Sequence, residues 1–331
     1  MSEKEKHILV TGGTGFIGSA LVKRLVLCGH KVRVLDNNIR GAESRLKEVK
    51  DEIEFIEADI RDYDQVRQAC KGIEIVHQLA YINGTEHFYT IPEIILEIAV
   101  KGMMNIIDAC KENRVKELIV ASSSETYHVP NTIPTPETER LIIPDPFNPR
   151  FSYGGGKILW ELMAINFGRK FFDKVIIYRP HNVYGPDMGW EHVLPQFATR
   201  MNDLNTEVAN GVINFPIQGS GNETRAFVYI DDFIDGVLKV VQKGEHLNLY
   251  HIGTSEEVSI SDLACLVAKA YSREINIIPS QVKPGSTPRR CPDISKISAL
   301  GFNPKVPLEQ GVNKLVNWYR NNKPSKKQNK I

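Results

Sequence analysis

The 331 residues predict an α/β protein in which a doubly wound parallel sheet carries a smaller C-terminal lobe. Three observations predict it. Six short runs rich in Val, Ile and Leu alternate with helical patterns over the first 180 residues. Most are apolar on both faces, as strands covered on both sides are. A glycine triplet stands where the first strand turns into a helix, and after Pro180 the regular patterning gives way to Gly, Pro and Asn.

In chain order, strands are expected at 7–11, 31–36, 53–59, 73–80, 117–124 and 174–179. Helices are expected between them at 19–28, 63–69 and 93–113, so each crossover returns the chain in parallel. Residues 93–113 and 153–171 are apolar around most of the helix circumference. Such a helix is buried on nearly every side. The sheet covers one face, which leaves the other for a second copy, and a homodimer is expected through these two helices. Residues 1–180 make the sheet domain, with 225–257 returning to it as a strand and a helix. Residues 181–224 and 258–320 make a substrate-binding lobe, in which 259–271 is an amphipathic helix starting near Ser259 or Ser261. The Lys- and Asn-rich tail at 321–331 is expected to be disordered.

Composition excludes several classes. Hydrophobic residues make up 42% and charged residues 24%, so the chain has material for a core. Forty-one basic against 40 acidic side chains leave a net charge of +1, which argues against nucleic acid or a membrane surface as partner. No apolar run approaches the roughly 20 residues a membrane span needs, and the charged start is not a signal peptide. Five scattered cysteines without a C-x-x-C pair predict neither disulfides nor a metal site, and a cytoplasmic location.

Thr11-Gly12-Gly13-Thr14-Gly15-Phe16-Ile17-Gly18 joins the first strand to the first helix. Gly12, Gly15 and Gly18 allow a sharp turn, close approach to a pyrophosphate and tight helix–strand packing. The helix N-terminus beyond, with Phe16 and Ile17, offers free N–H groups to phosphate. This predicts a Rossmann-like dinucleotide site. Asp36, ending the second strand, suits both ribose hydroxyls of the adenosine and repels a 2′-phosphate, so NAD is expected, while Arg33 and Arg40 leave NADP open. Asp59, ending the third strand, with Ile60 after it, and Leu79 and Ala80, ending the fourth, complete the expected cofactor contacts.

Tyr153 and Lys157 stand four apart in Tyr153-Gly154-Gly155-Gly156-Lys157, hence on one helix face. The ammonium and an oxidised nicotinamide would both favour phenolate, making Tyr153 a base for a hydroxyl whose carbon gives up hydride. Ser123, in Ala121-Ser122-Ser123-Ser124-Glu125-Thr126-Tyr127, could share that proton.

With these motifs, Arg179-Pro180-His181-Asn182-Val183-Tyr184-Gly185-Pro186, Thr224-Arg225-Ala226-Phe227-Val228-Tyr229-Ile230-Asp231-Asp232 and Arg290-Cys291-Pro292-Asp293, nearly the whole chain resembles the extended short-chain dehydrogenase/reductase family. The likeness is to its NAD-dependent nucleotide-sugar epimerases and dehydratases. The resemblance implies an NAD reduced and reoxidised within one cycle, Tyr153 as base, Lys157 holding the nicotinamide ribose, and Ser123 orienting the sugar. It implies that Ser124 and Asn182 bind the sugar–diphosphate and that Arg225 and Arg290 hold its phosphates. Family dehydratases and decarboxylases carry an acid where Glu125 stands. Glu125 is therefore expected to take the C5 proton, with burial raising its pKa, in 4,6-dehydratase-type chemistry. The alternatives are a 4-epimerase, a uronic-acid decarboxylase and a silent NAD sensor. Four departures bear on the choice. Ser124 stands where acid–base dehydratases often have Asp, His128 where the family commonly has glycine, Ala99 where it often has Asn, and Ile158 where decarboxylases tend to have Arg. His181 and His192 are further candidates for sugar contact.

Overall fold

The computed structural model describes residues 4–281 and 287–322. Strands β1 (His7–Thr11), β2 (Lys31–Asp36), β3 (Ile53–Glu57), β4 (Ile75–Gln78), β5 (Glu117–Ala121) and β6 (Lys174–Pro180) form one parallel sheet with a seventh strand, Asn248–Ile252. The spatial order is seventh strand, β6, β5, β4, β1, β2, β3. Strand order reverses between β1 and β4, and a crevice opens beyond the carboxyl ends of strands at such a point.

Alternate residues of each strand feed two cores. Leu9, Leu35, Val76, Leu118, Val120 and Ile177 pack against α2 (Tyr63–Ala69) and two helices described below. Ile8, Val10, Val34, Ile119, Ile176 and Tyr178 face the other way, toward α1 (Phe16–Leu27), the helix Ile230–Lys243 and the C-terminal lobe. The lobe therefore shares a core with one face of the sheet. Its small sheets pair Ile213–Pro216 with Ile275–Ile278, and Thr224–Ala226 with both Glu257–Ser259 and Arg289–Arg290. Its helices include Val193–Glu207, Ile260–Ala270 and Leu308–Asn321; Ser259 caps the second by accepting the Asp262 N–H at 3.0 Å.

Several boundaries differ from the sequence expectation. Helix α1 begins at Phe16 rather than residue 19, because Gly15 already occupies its N-cap. Strand β4 stops at Gln78 because the Leu79 and Ala80 N–H groups turn to the Thr11 hydroxyl, at 3.1 and 3.2 Å. Strand β5 stops at Ala121; Ser123 caps a short 3₁₀ turn, its hydroxyl accepting the Glu125 N–H at 3.1 Å. The helix expected at 93–113 is broken into Pro92–Glu97, a π-helical turn Ile98–Gly102 and Met103–Glu112. At that turn the Ala99 carbonyl accepts the Trp160 indole N–H at 3.0 Å. Asn321 belongs to the last helix rather than to a tail, and 323–331 lie outside the described residues.

The Pro92–Glu112 segment and the helix Ser152–Phe171 bury Ile95, Met103, Ile106, Ile107 and Trp160 completely. Their outer faces are apolar as well. Leu96, Val100 and Leu162 are 46%, 49% and 54% exposed.

Candidate active site

A cleft of about 440 Å³ opens at the crevice between β1 and β4. Gly12, Gly15, Phe16, Ile17, Gly18, Asp36, Asp59, Ile60, Leu79 and Ala80 line one end, and Ser123, Ser124, Glu125, Tyr153, Lys157, Asn182 and Arg290 the other. All the residues expected at the site except Arg225 and His181 thus reach a single cavity.

The glycine turn has the shape of a dinucleotide cradle. Gly12 adopts φ +70°, and a Cβ on Gly18 would lie 2.0 Å from the Gly12 carbonyl oxygen. Gly15, as N-cap, supplies no side-chain acceptor, so N–H groups of the first turn of α1 remain free toward the cleft. Asp36 accepts the Thr14 N–H at 3.0 Å and the Asn38 N–H at 2.9 Å, which stiffens the turn at the position suited to an adenosine ribose. Asp59 also lines the cleft, but its carboxylate is already held by Arg61 and Asn37. The residues present fit NAD: Gly15–Gly18 would hold its pyrophosphate and Asp36 its adenosine ribose.

At the other end Lys157 is buried and donates to the Ala121 carbonyl at 2.7 Å. Tyr153 is buried too, hydrogen-bonded to Ser123, with Phe88 stacked on its ring at 4.9 Å. Burial pushes the phenol up and the ammonium well down from their ordinary values. This corrects the expected lowering of the phenol by its lysine: in the protein alone, desolvation of both groups outweighs an ammonium 5.9 Å from the ring centre.

Glu125 brings a second correction. Burial does act to raise its pKa, but Arg290 donates to its Oε1 at 2.7 Å, and Arg150 and His128 add positive charge. The carboxyl is held down at about 2. Close opposite charge outweighs desolvation, and Glu125 rests as an ionised partner of Arg290.

Arg225 does not line the cleft; its guanidinium donates to the carbonyls of Thr224, Thr287 and Pro288. The Asn182 amide donates to the Ala226 carbonyl at 2.9 Å. His192 lines the cleft, whereas His181 packs behind it, edge-on to His251 at 4.6 Å. His128 has φ +52°, a left-handed conformation that accounts for glycine being common there in the family it resembles. Arg40, which left NADP open, lines the cleft; Tyr81, Phe88 and Arg45 line it too, and sequence reasoning gave those three no role there. Tyr81 stood in plain view as an aromatic directly after Ala80.

An NAD-binding α/β enzyme is the class this fold and cleft define. The sequence model of the NAD dependent epimerase/dehydratase family matches residues 8–253, and the chain belongs to that family, whose cofactor is NAD. A protein of Methanocaldococcus jannaschii, provisionally named a UDP-glucose 4-epimerase, is 32% identical over 95% of this chain and 99% of its own length. A UDP-N-acetyl-alpha-D-glucosaminuronate decarboxylase of Bacillus cytotoxicus is 28% identical over 96% and 98%. Among solved structures, the dTDP-glucose 4,6-dehydratase of Streptomyces venezuelae, crystallised with NAD, superposes with a TM-score of 0.83 at 26% identity, over 96% of this chain and 97% of that one.

Proposed function

We propose that this enzyme oxidises a nucleotide-diphosphate sugar at C4 and completes a 4,6-dehydration. The observation that carries this reading is the meeting of Ser123, Tyr153 and Lys157 in the cleft that holds the glycine turn. Bound NAD supplies the hydride acceptor at C4 and the hydride donor at the end. Tyr153 takes the C4 hydroxyl proton, Ser123 orients that oxygen, and the Lys157 ammonium favours the phenolate. Asn182 and Arg290 hold the sugar–diphosphate.

The resulting 4-ketone acidifies the C5 proton, which Glu125 removes. The C6 hydroxyl leaves with a proton as water, hydride is delivered to C6, and a proton returns to C5. Arg290 connects binding to this step. When the diphosphate draws the guanidinium away from Glu125, burial is left as the main influence on the carboxyl and its basicity rises. A second reading, 4-epimerisation, is favoured by the resting state of Glu125. A carboxylate held at about 2 is a weak base, and a 4-epimerase needs none there. We also propose that two copies pair through the outer faces of the Pro92–Glu112 segment and Ser152–Phe171.

Mass spectrometry of products from a panel of nucleotide sugars in deuterated water tests the reaction. Loss of water supports dehydration. An isomer of unchanged composition replaces it with epimerisation, and loss of carbon dioxide from a uronic acid with decarboxylation. No reaction with any member leaves a non-catalytic NAD sensor. Tyr153→Phe is expected to abolish turnover while retaining NAD; retained turnover removes Tyr153 as the base.

A further inference from the structure

Lys157 has an unusual setting for a cation. It is 2% exposed, and among the described residues its one hydrogen-bond acceptor is the Ala121 carbonyl. The carboxylate acting on it, Glu161, lies one helical turn on and is already engaged by Arg179 and Ser122. Two aromatic rings stand where a counterion would be expected: the ammonium lies 3.8 Å from the Trp160 ring centre and 4.4 Å from that of Tyr81. The two rings meet edge to face at 4.8 Å, and Tyr81 meets Tyr153 in the same manner at 5.3 Å. The groups facing the ammonium are thus Tyr81 from the segment after β4, the Ala121 carbonyl from β5, and Tyr153, Trp160 and Glu161 from the helix Ser152–Phe171.

The Tyr81 hydroxyl is buried and makes no hydrogen bond among the described residues, so hydrogen bonding does not explain its position. Space does. A Cβ on Gly156 would fall 2.0 Å from that hydroxyl and 2.9 Å from the Ala99 Cβ. Gly156, one of three glycines at this helix start, and Ala99, where the resemblance leads one to expect Asn, leave the room that the phenol fills. Trp160 is fixed by its indole bond to the Ala99 carbonyl at the π-helical turn.

We propose that Tyr81 is a positioning residue for sugar oxidation: with Trp160 it forms an aromatic cage that holds the Lys157 ammonium charged and in place beside Tyr153. The proposal rests on the C4-oxidation reading above. Its physical basis is that a desolvated cation gains most from the negative faces of aromatic rings where water and carboxylates are excluded. Burial drives the lysine toward its neutral form, and the cage opposes that drift. Removing the Tyr81 ring makes Lys157 lose its proton at lower pH. The phenol of Tyr153 then ionises at higher pH, and the bell-shaped rate profile narrows from both sides.

The test has two parts. In NAD-loaded protein carrying ¹³Cε-lysine, the Lys157 resonance, assigned by its loss in Lys157→Met, is followed against pH by NMR. Its midpoint should fall by about one pH unit in Tyr81→Leu and stay near wild type in Tyr81→Phe, which keeps the ring. Turnover of the best nucleotide sugar at neutral pH should fall about tenfold in Tyr81→Leu and be rescued in Tyr81→Phe. An unmoved lysine midpoint in Tyr81→Leu overturns the cage. Failure of the wild type to turn over any nucleotide sugar overturns the reading of function instead, and the NMR titration still decides the cage. The packing is checked separately. Gly156→Ser should weaken NAD binding about tenfold, and adding Tyr81→Leu should restore most of that loss. If the serine is equally harmful with and without Tyr81, the placement of the phenol is wrong.

Discussion

Glu125 and Arg290 show how one contact redirects a site. A carboxylate in a sheltered cleft is expected to be weakly acidic, yet a guanidinium at 2.7 Å holds it ionised. The partner lies 165 residues further along the chain, so no local pattern could reveal the pair. The shift has a sign that can be measured. A carboxyl held at about 2 in the folded state, against about 4.3 when unfolded, stabilises the fold fully above the unfolded value. That contribution is lost as pH falls toward 2. Glu125→Gln should flatten the acid limb of stability between these limits, read by thermal unfolding at several pH values. An acid limb unchanged in the variant contradicts the ion pair. The same variant should stop solvent exchange at C5 while sparing reduction of bound NAD by substrate. Full turnover in the variant would move the assignment to the epimerase.

At the scale of elements, the glycine turn was legible because each glycine answers to a local need. A Gly18→Ala methyl would lie 2.0 Å from the Gly12 carbonyl, an approach that real Cβ atoms do not make. The turn must open. NAD affinity should fall by at least about a hundredfold, or about 2.7 kcal/mol, in equilibrium titration; binding at wild-type strength would refute the turn geometry. The parallel sheet and the strand-to-helix alternation were legible for a similar reason, since doubly covered parallel strands read as apolar runs. What stayed hidden was set by contacts distant in sequence. The break at Ile98–Gly102 depends on Trp160 reaching the Ala99 carbonyl, and the end of β4 depends on the Thr11 hydroxyl of a neighbouring strand. Tyr81 was overlooked because its meaning lies in what Gly156 and Ala99 lack.

For the whole molecule, the exposed Leu96, Val100 and Leu162 on adjoining helices form an outer apolar face. Pairing two copies there predicts that Leu96→Asp combined with Leu162→Asp gives monomers in sedimentation while NAD still binds. A wild type that sediments as a monomer at micromolar concentration ends the dimer proposal. The two halves of one chain are tied as well. Arg45 pairs with Asp187 through both carboxylate oxygens at 2.9 Å, and Arg40 reaches Glu191 at 2.8 Å. Both arginines come from the segment after β2, and both acids from the stretch that leads into Val193–Glu207. Both arginines line the cleft, so the bridges tie its β2 side to that stretch. If a dinucleotide leaves by parting the segment after β2 from that stretch, both ion pairs must release first. The cofactor would then behave as a resident part of the enzyme, purified with it and recharged by each sugar in turn, and its departure would be hastened by salt, which screens the bridges.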